Sequence, residues 1–179
     1  MPLVYVLHIA LEDIEPPIWR RLLVPADITL KRLHTVIQRA MGWQDQHLYE
    51  FQIAAGRKRH LKVATSRQLW QVVDAGSAFS YVYDFGDGWE HHVLVEAVSP
   101  SEPGVVYPRC LAGERACPPE DCGGVPGYAD ILDAIRDPDR PDAAELLEWV
   151  GEDFDPEAFD LDATNLALTR TVRRAARPH

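Results

Sequence analysis

The chain has 179 residues, of which 46% are hydrophobic and 26% charged. That length suits about one domain with a core that needs no staples, and the balance excludes intrinsic disorder. A formal charge of −10 argues against broad binding to nucleic acid or anionic membrane, and three cysteines with two methionines exclude a dense disulfide scaffold and a Met-rich groove.

The first strand is predicted over Leu3–Leu11, with Leu3, Tyr5, Leu7, Ile9 and Leu11 on one face. Val4, Val6 and Ala10 make its other face nearly apolar, which suits an interior strand. Glu15-Pro16-Pro17 breaks it, and Ile18–Val24 returns as the second arm of an antiparallel hairpin. Thr29–Met41 is a helix, because Leu30, Leu33, Ile37, Ala40 and Met41 form one apolar stripe. Asp27 or Thr29 caps its start and Gly42 its end. Leu48–Ile53 is again a strand. Strand, strand, helix, strand is a β-grasp-like opening, a topological analogy that carries no function.

Gly56–Lys62 reads as a basic loop leading into a short strand, and residues 64–79 as one or two helical turns around Leu69, Val72 and Val73. Ser80–Phe85 and Trp89–Val98 form a further hairpin, with Asp87-Gly88 as a type I′ turn. Glu102–Pro126 is rich in proline and glycine and reads as one long loop, uncommon without a purpose. Three helices follow: Gly127–Arg136, a second from Pro141 to Gly151, and a third around Leu166, Leu168 and Val172. The fold class is α+β, an antiparallel or mixed sheet with C-terminal helices packed on it. A single domain spans residues 1–179, with a β-rich region over 1–100, a loop over 101–126 and an acidic helical region over 127–179.

The charge follows the same division. Residues 1–110 hold 11 Lys+Arg against 12 Asp+Glu, residues 111–165 hold 3 against 16, and residues 166–179 hold 4 against none. Apolar residues at helical spacing interrupt the acidic stretch, so it reads as helix faces rather than a tail. The start, Met1-Pro2-Leu3-Val4-Tyr5, lacks a basic region and a cleavage pattern, and no apolar run approaches ~18 residues. The expectation is a cytoplasmic protein with no membrane partner.

Two constellations could carry chemistry. In the hairpin Tyr83-Asp84-Phe85-Gly86-Asp87-Gly88-Trp89-Glu90-His91-His92, a two-residue turn places Asp84 opposite His91. That pair is either a cross-strand polar contact at a sheet end, or a general base or metal ligand oriented by a carboxylate. The second is the loop holding Cys110, Cys117 and Cys122, which with His91 makes a possible zinc set. It lacks the spacing of a standard finger, and its plain reading is packed, reduced thiols. The candidate functional surface is Asp84, Asp87, Trp89, Glu90, His91, Arg109, Glu120 and Asp121. Arg57, Lys58, Arg59 and Lys62 form the compact basic patch outside the C-terminal end, where Arg170, Arg173, Arg174 and Arg177 complement a helix dipole. Neither a phosphate loop nor a G-x-S-x-G elbow is present.

Five blocks carry a family resemblance. They are Pro16-Pro17-Ile18-Trp19-Arg20-Arg21; Met41-Gly42-Trp43 with His47-Leu48-Tyr49-Glu50-Phe51; the segment Tyr83–His91; the segment Cys110–Tyr128; and Trp149–Asp160 with Gly151-Glu152-Asp153-Phe154-Asp155-Pro156. Together they resemble the Ri-plasmid open-reading-frame-three-like family, also described as TnpR-type passenger proteins of insertion elements. The resemblance implies a compact α+β domain of bacteria and archaea, sometimes carried on mobile elements, and it supplies no catalytic residues. The nucleophilic serine of true serine resolvases is not found.

The favoured expectation is a non-enzymatic binding or accessory module, with a protein partner before nucleic acid. One alternative is a metal-dependent or acid–base enzyme using Asp84, His91 and the three cysteines. The other is a DNA-associated accessory factor in transposition that uses Arg57, Lys58, Arg59 and Lys62.

Overall fold

A computed structural model describes residues 2–54 and 60–175, with side chains through Arg170. Seven strands form one sheet: β1 (Leu3–Leu11), β2 (Trp19–Pro25), β3 (Tyr49–Ala54), β4 (His60–Val63), β5 (Ala78–Tyr83), β6 (Trp89–Pro100) and β7 (Arg109–Glu114). Their spatial order is β4-β3-β5-β6-β1-β2-β7, and every pairing is antiparallel. The helices are α1 (Leu30–Met41), α2 (Gly124–Arg136), α3 (Ala143–Val150) and α4 (Leu161–Ala175). A single 3-10 turn at Leu69–Gln71 occupies the segment read as helical turns.

One sheet face is buried and the other is wet, as expected of an antiparallel sheet. Tyr5, Leu7, Ile9 and Leu11 point into the core with Leu22, Val24, Val93 and Val95. The opposite face carries polar pairs such as Arg21 with Glu96, where Nε meets Oε2 at 2.7 Å. Tyr128, Leu132 and Leu168 join the same core as the strands, so the acidic helices and the β-rich region share it.

Helix α1 forms as its pattern dictates. Thr29 Oγ1 accepts from the Arg32 N–H at 3.3 Å, and Gly42 takes the left-handed conformation, φ 105°, at the other end. Its apolar stripe of Leu30, Leu33, Ile37, Ala40 and Met41 is buried.

The β-grasp-like order strand, strand, helix, strand holds along the chain, with β3 paired to β4 and β5. Two readings are corrected. The long loop contains β7, which pairs with β2. Buried Arg20 explains why it docks there: its Nη1 donates to Glu114 O and its Nη2 to Arg115 O, each at 2.8 Å. Its Nε donates to Ala40 O at 2.8 Å, so one guanidinium joins β2, the end of β7 and α1. The second correction concerns the β5–β6 turn. Asp84 to Gly88 make a five-residue loop, with positive φ at Asp84 and Gly88 rather than at Asp87. Asp84 Oδ1 accepts from the Gly86 N–H at 2.9 Å, the side-chain turn that displaces the expected two-residue one.

Among the described residues, no helix is long and apolar enough to cross a membrane. Arg57, Lys58, Arg59 and Arg177, and the side chains of Arg173 and Arg174, lie outside what the structure describes. Lys62 does not stand alone: its Nζ pairs with Glu50 Oε2 at 3.2 Å.

Candidate functional site

The longer loop moves the hairpin register. His91 faces Tyr81, Ser80 faces His92, and Tyr83 faces Trp89, so the expected Asp84–His91 pair does not form. His91 lies fully inside the core. Its Nδ1 lies 3.0 Å from Tyr81 O and 3.1 Å from Trp89 O; carbonyls only accept, so Nδ1 carries the proton. Its Nε2 is enclosed without a hydrogen-bond partner, and burial pushes the imidazole down to about 4. Trp89 is likewise core, Glu90 is exposed beyond it, and Arg109 is exposed on the edge strand β7.

Asp84 turns instead towards a histidine that the sequence does not single out. His47 follows α1, and its Nε2 lies 3.6 Å from Asp84 Oδ2, 3.0 Å from Asp121 Oδ1 and 3.9 Å from Glu120 Oε2. Three chain segments therefore meet at one imidazole: the turn after α1, the β5–β6 loop and the stretch before α2. The one signal for it in the sequence is the His47–Phe51 block, which carries family likeness but no chemistry of its own.

Each segment is held in place. Tyr83 donates its O–H to Glu120, at 3.1 Å from Oε1, and accepts from the Gln46 N–H at 3.0 Å. The Gln44 N–H also reaches Glu120 Oε1, at 2.9 Å. Burial, and then the carboxylate beside it, hold the Tyr83 phenol up at about 12. Asp87 Oδ2 accepts from the Gly123 N–H at 3.2 Å, capping the start of α2. At Gly124, with φ +69°, a Cβ would collide with the carbonyl oxygen of Asp87, so only glycine lets this loop and helix touch. Of the expected surface, Asp84, Asp87, Glu120 and Asp121 come together here.

The cysteines do not join them. Among the described residues, the group of three potential ligands with donor atoms within 4.8 Å of one another is His47, Asp84 and Asp121. Cys110 is buried and its thiol faces Ala112 O at 3.4 Å. Burial pushes Cys117 and Cys122 up to about 12 and raises Cys110 as well, so all three are thiols at neutral pH. None is in a disulfide.

Next to the carboxylates, α2 and α3 enclose a groove of about 520 Å³. Trp149 and Ile131 line it, with Asp121, Asp130, Asp142 and Glu145 around them. Arg140 also lines it and faces Asp130 at 3.7 Å. Trp149, 52% exposed, borders a second cleft of about 480 Å³ with Trp43 and Pro118. Another cleft, about 1010 Å³, lies elsewhere, between the first turn of α1 and Tyr107-Pro108. It gathers no comparable set of reactive or ligating groups.

Known proteins share this architecture. The profile of the plasmid pRiA4b ORF-3-like proteins matches residues 3–163. The uncharacterised protein y4hQ of Sinorhizobium fredii is 38% identical over 187 aligned positions, covering 96% of this chain and 93% of the relative. The crystal structure of MM3350, a protein of unknown function from Methanosarcina mazei Go1, superposes with a TM-score of 0.85 at 37% identity. That match covers 90% of this chain and 97% of the other. The β7 docking, the five-residue loop and the carboxylate junction are thus features of a member of the plasmid pRiA4b ORF-3-like family.

Proposed function

We propose that the chain is a non-enzymatic binding module whose partner is a basic segment of another protein, held in the groove between α2 and α3. The observation that carries this reading is Trp149, a large aromatic left 52% exposed where four carboxylates gather. An Arg or Lys side chain laid over an exposed indole gains about 0.5–1 kcal/mol, and the carboxylates add steering and orientation. The excess of 16 acidic over 3 basic residues between 111 and 165 sets the sign of the partner. What disfavours acid–base chemistry through the cysteines and His91 is the state of those groups. The thiols are held protonated, and His91 is sealed in the core.

The test is a titration of a labelled Arg-rich peptide, followed by anisotropy in the presence of a chelator. The expected result is saturable binding that weakens as salt rises, with Trp149→Ala losing about fivefold in affinity. An unsaturable signal at low salt, or an unchanged affinity in Trp149→Ala, refutes the reading. Trp149 is exposed, so its replacement leaves the fold in place.

A further inference from the structure

We infer that His47, Asp84 and Asp121 form a binding site for a divalent first-row transition-metal ion, with Glu120 as the neighbouring carboxylate. The first reason is spacing. Donor atoms about 2.0–2.2 Å from one tetrahedral or octahedral ion stand roughly 3.0–3.6 Å apart. His47 Nε2 is 3.0 Å from Asp121 Oδ1 and 3.6 Å from Asp84 Oδ2, and the three donors lie within 4.8 Å of one another.

The second reason is that the imidazole donor is unsatisfied. His47 Nε2 is enclosed and makes no hydrogen bond, although Asp121 lies at 3.0 Å, so that contact is misaligned for one. The Asp84 side chain is only 9% exposed. Its Oδ1 takes the Gly86 N–H, and its Oδ2 lies 3.6 Å from His47 Nε2. Buried polar atoms are almost always paired, so an enclosed, unpaired Nε2 that faces three carboxylates points to a missing common partner.

The third reason is charge. Three carboxylates face one imidazole, and among the described residues no Lys or Arg forms an ion pair with Asp84, Glu120 or Asp121. Even a protonated imidazole leaves the group negative. The ligand is therefore a cation. One imidazole with carboxylates and no thiolate suits zinc or manganese, whereas calcium and magnesium favour all-oxygen sites.

This site shares Asp121 with the peptide groove but does not rest on it: peptide binding is read in chelator and metal binding without peptide. The test is calorimetric titration of chelator-treated full-length protein with zinc chloride, manganese chloride and magnesium chloride. Cobalt(II) absorption serves as a spectroscopic probe. The expected result is one equivalent of zinc bound at micromolar affinity or tighter, with magnesium far weaker. The cobalt spectrum should show ligand-field bands without a thiolate charge-transfer band. His47→Gln and Asp121→Asn should each weaken zinc at least about tenfold. Replacing Cys110, Cys117 and Cys122 by serine should leave it unchanged. Asp121 is 64% exposed, so that variant folds even if His47→Gln does not. Absence of a saturable one-equivalent site, or a site lost with the cysteines and kept in Asp121→Asn, overturns the inference.

Discussion

His34 lies within α1 and His47 follows the turn after it, and their surroundings are opposites. His34 is buried in a closed ring of hydrogen bonds. Its Nε2 lies 2.7 Å from the carboxylate of Asp45, which only accepts, so that nitrogen donates. Its Nδ1 then accepts from the Tyr81 hydroxyl at 2.7 Å, and that oxygen accepts from Gln38 Nε2 at 3.0 Å. Gln38 Oε1 takes the Asp45 N–H at 2.9 Å and completes the ring. The imidazole also stacks on Tyr49 at 3.5 Å. His47 has three carboxylates around one nitrogen and no hydrogen bond to it. A closed network specifies the fold, because each member is satisfied by another. The charge gathered at His47 Nε2 is not compensated in this way, and local rules are broken chiefly where function requires it.

Acid is expected to break the closed side first. His91 and His34 are both buried, and burial lowers both, in His34 against the opposing pull of Asp45. A folded value below the ordinary 6.5 means that the unfolded chain takes up the proton first. The stability these histidines supply is complete above about pH 6.5 and is lost as pH falls towards about 4. His91 alone contributes about 3 kcal/mol over that window. Urea denaturation at about pH 7 and about pH 4.5 reads the effect, and His91→Gln should flatten it. Equal stability at the two pH values contradicts a neutral, enclosed His91.

What the sequence disclosed was mostly local. Thr29 and Gly42 bound α1 because a capping hydroxyl and a left-handed glycine act over one turn. The nearly apolar second face of Leu3–Leu11 was enough to read β1 as an interior strand, and it lies between β6 and β2. Arg109–Glu114 has no such alternation and becomes a strand through its pairing with β2, fixed by Arg20 from far along the chain. The β5–β6 turn departs from its expected form because Asp-Gly is a strong backbone signal, whereas the Asp84 carboxylate that sets the longer loop acts through its side chain. For the same reason Asp84, Glu120 and Asp121 were recognisable as candidates while His47 was not. Only tertiary contact brings the turn after α1 to them, and no short spacing encodes that.

Tyr81→Phe separates the two histidines at smaller cost. Removing one hydroxyl leaves His34 Nδ1 without its donor and Gln38 Nε2 without its acceptor. An unsatisfied buried group costs about 1–3 kcal/mol, and ring packing is preserved. Thermal and urea denaturation should both report a loss of that size. Metal and peptide binding should be untouched, since the hydroxyl touches neither site. A neutral effect on stability would mean that the ring around His34 contributes little.

Asp121→Asn has the smallest expected effect and the opposite sign. In chelator, removing one of three carboxylates around His47 relieves repulsion that no Lys or Arg offsets among the described residues. Asp121 is 64% exposed, so screening limits the gain to about 0.5 kcal/mol. Asp45→Asn, on the closed side, removes the charged acceptor of His34 and should destabilise instead. Two isosteric substitutions of aspartates that each contact one histidine then move stability in opposite directions. That divergence is the signature of a group kept for binding, since a carboxylate selected for folding would cost stability when neutralised. Loss of stability in Asp121→Asn comparable to that in Asp45→Asn would place His47 and its carboxylates with the structural network.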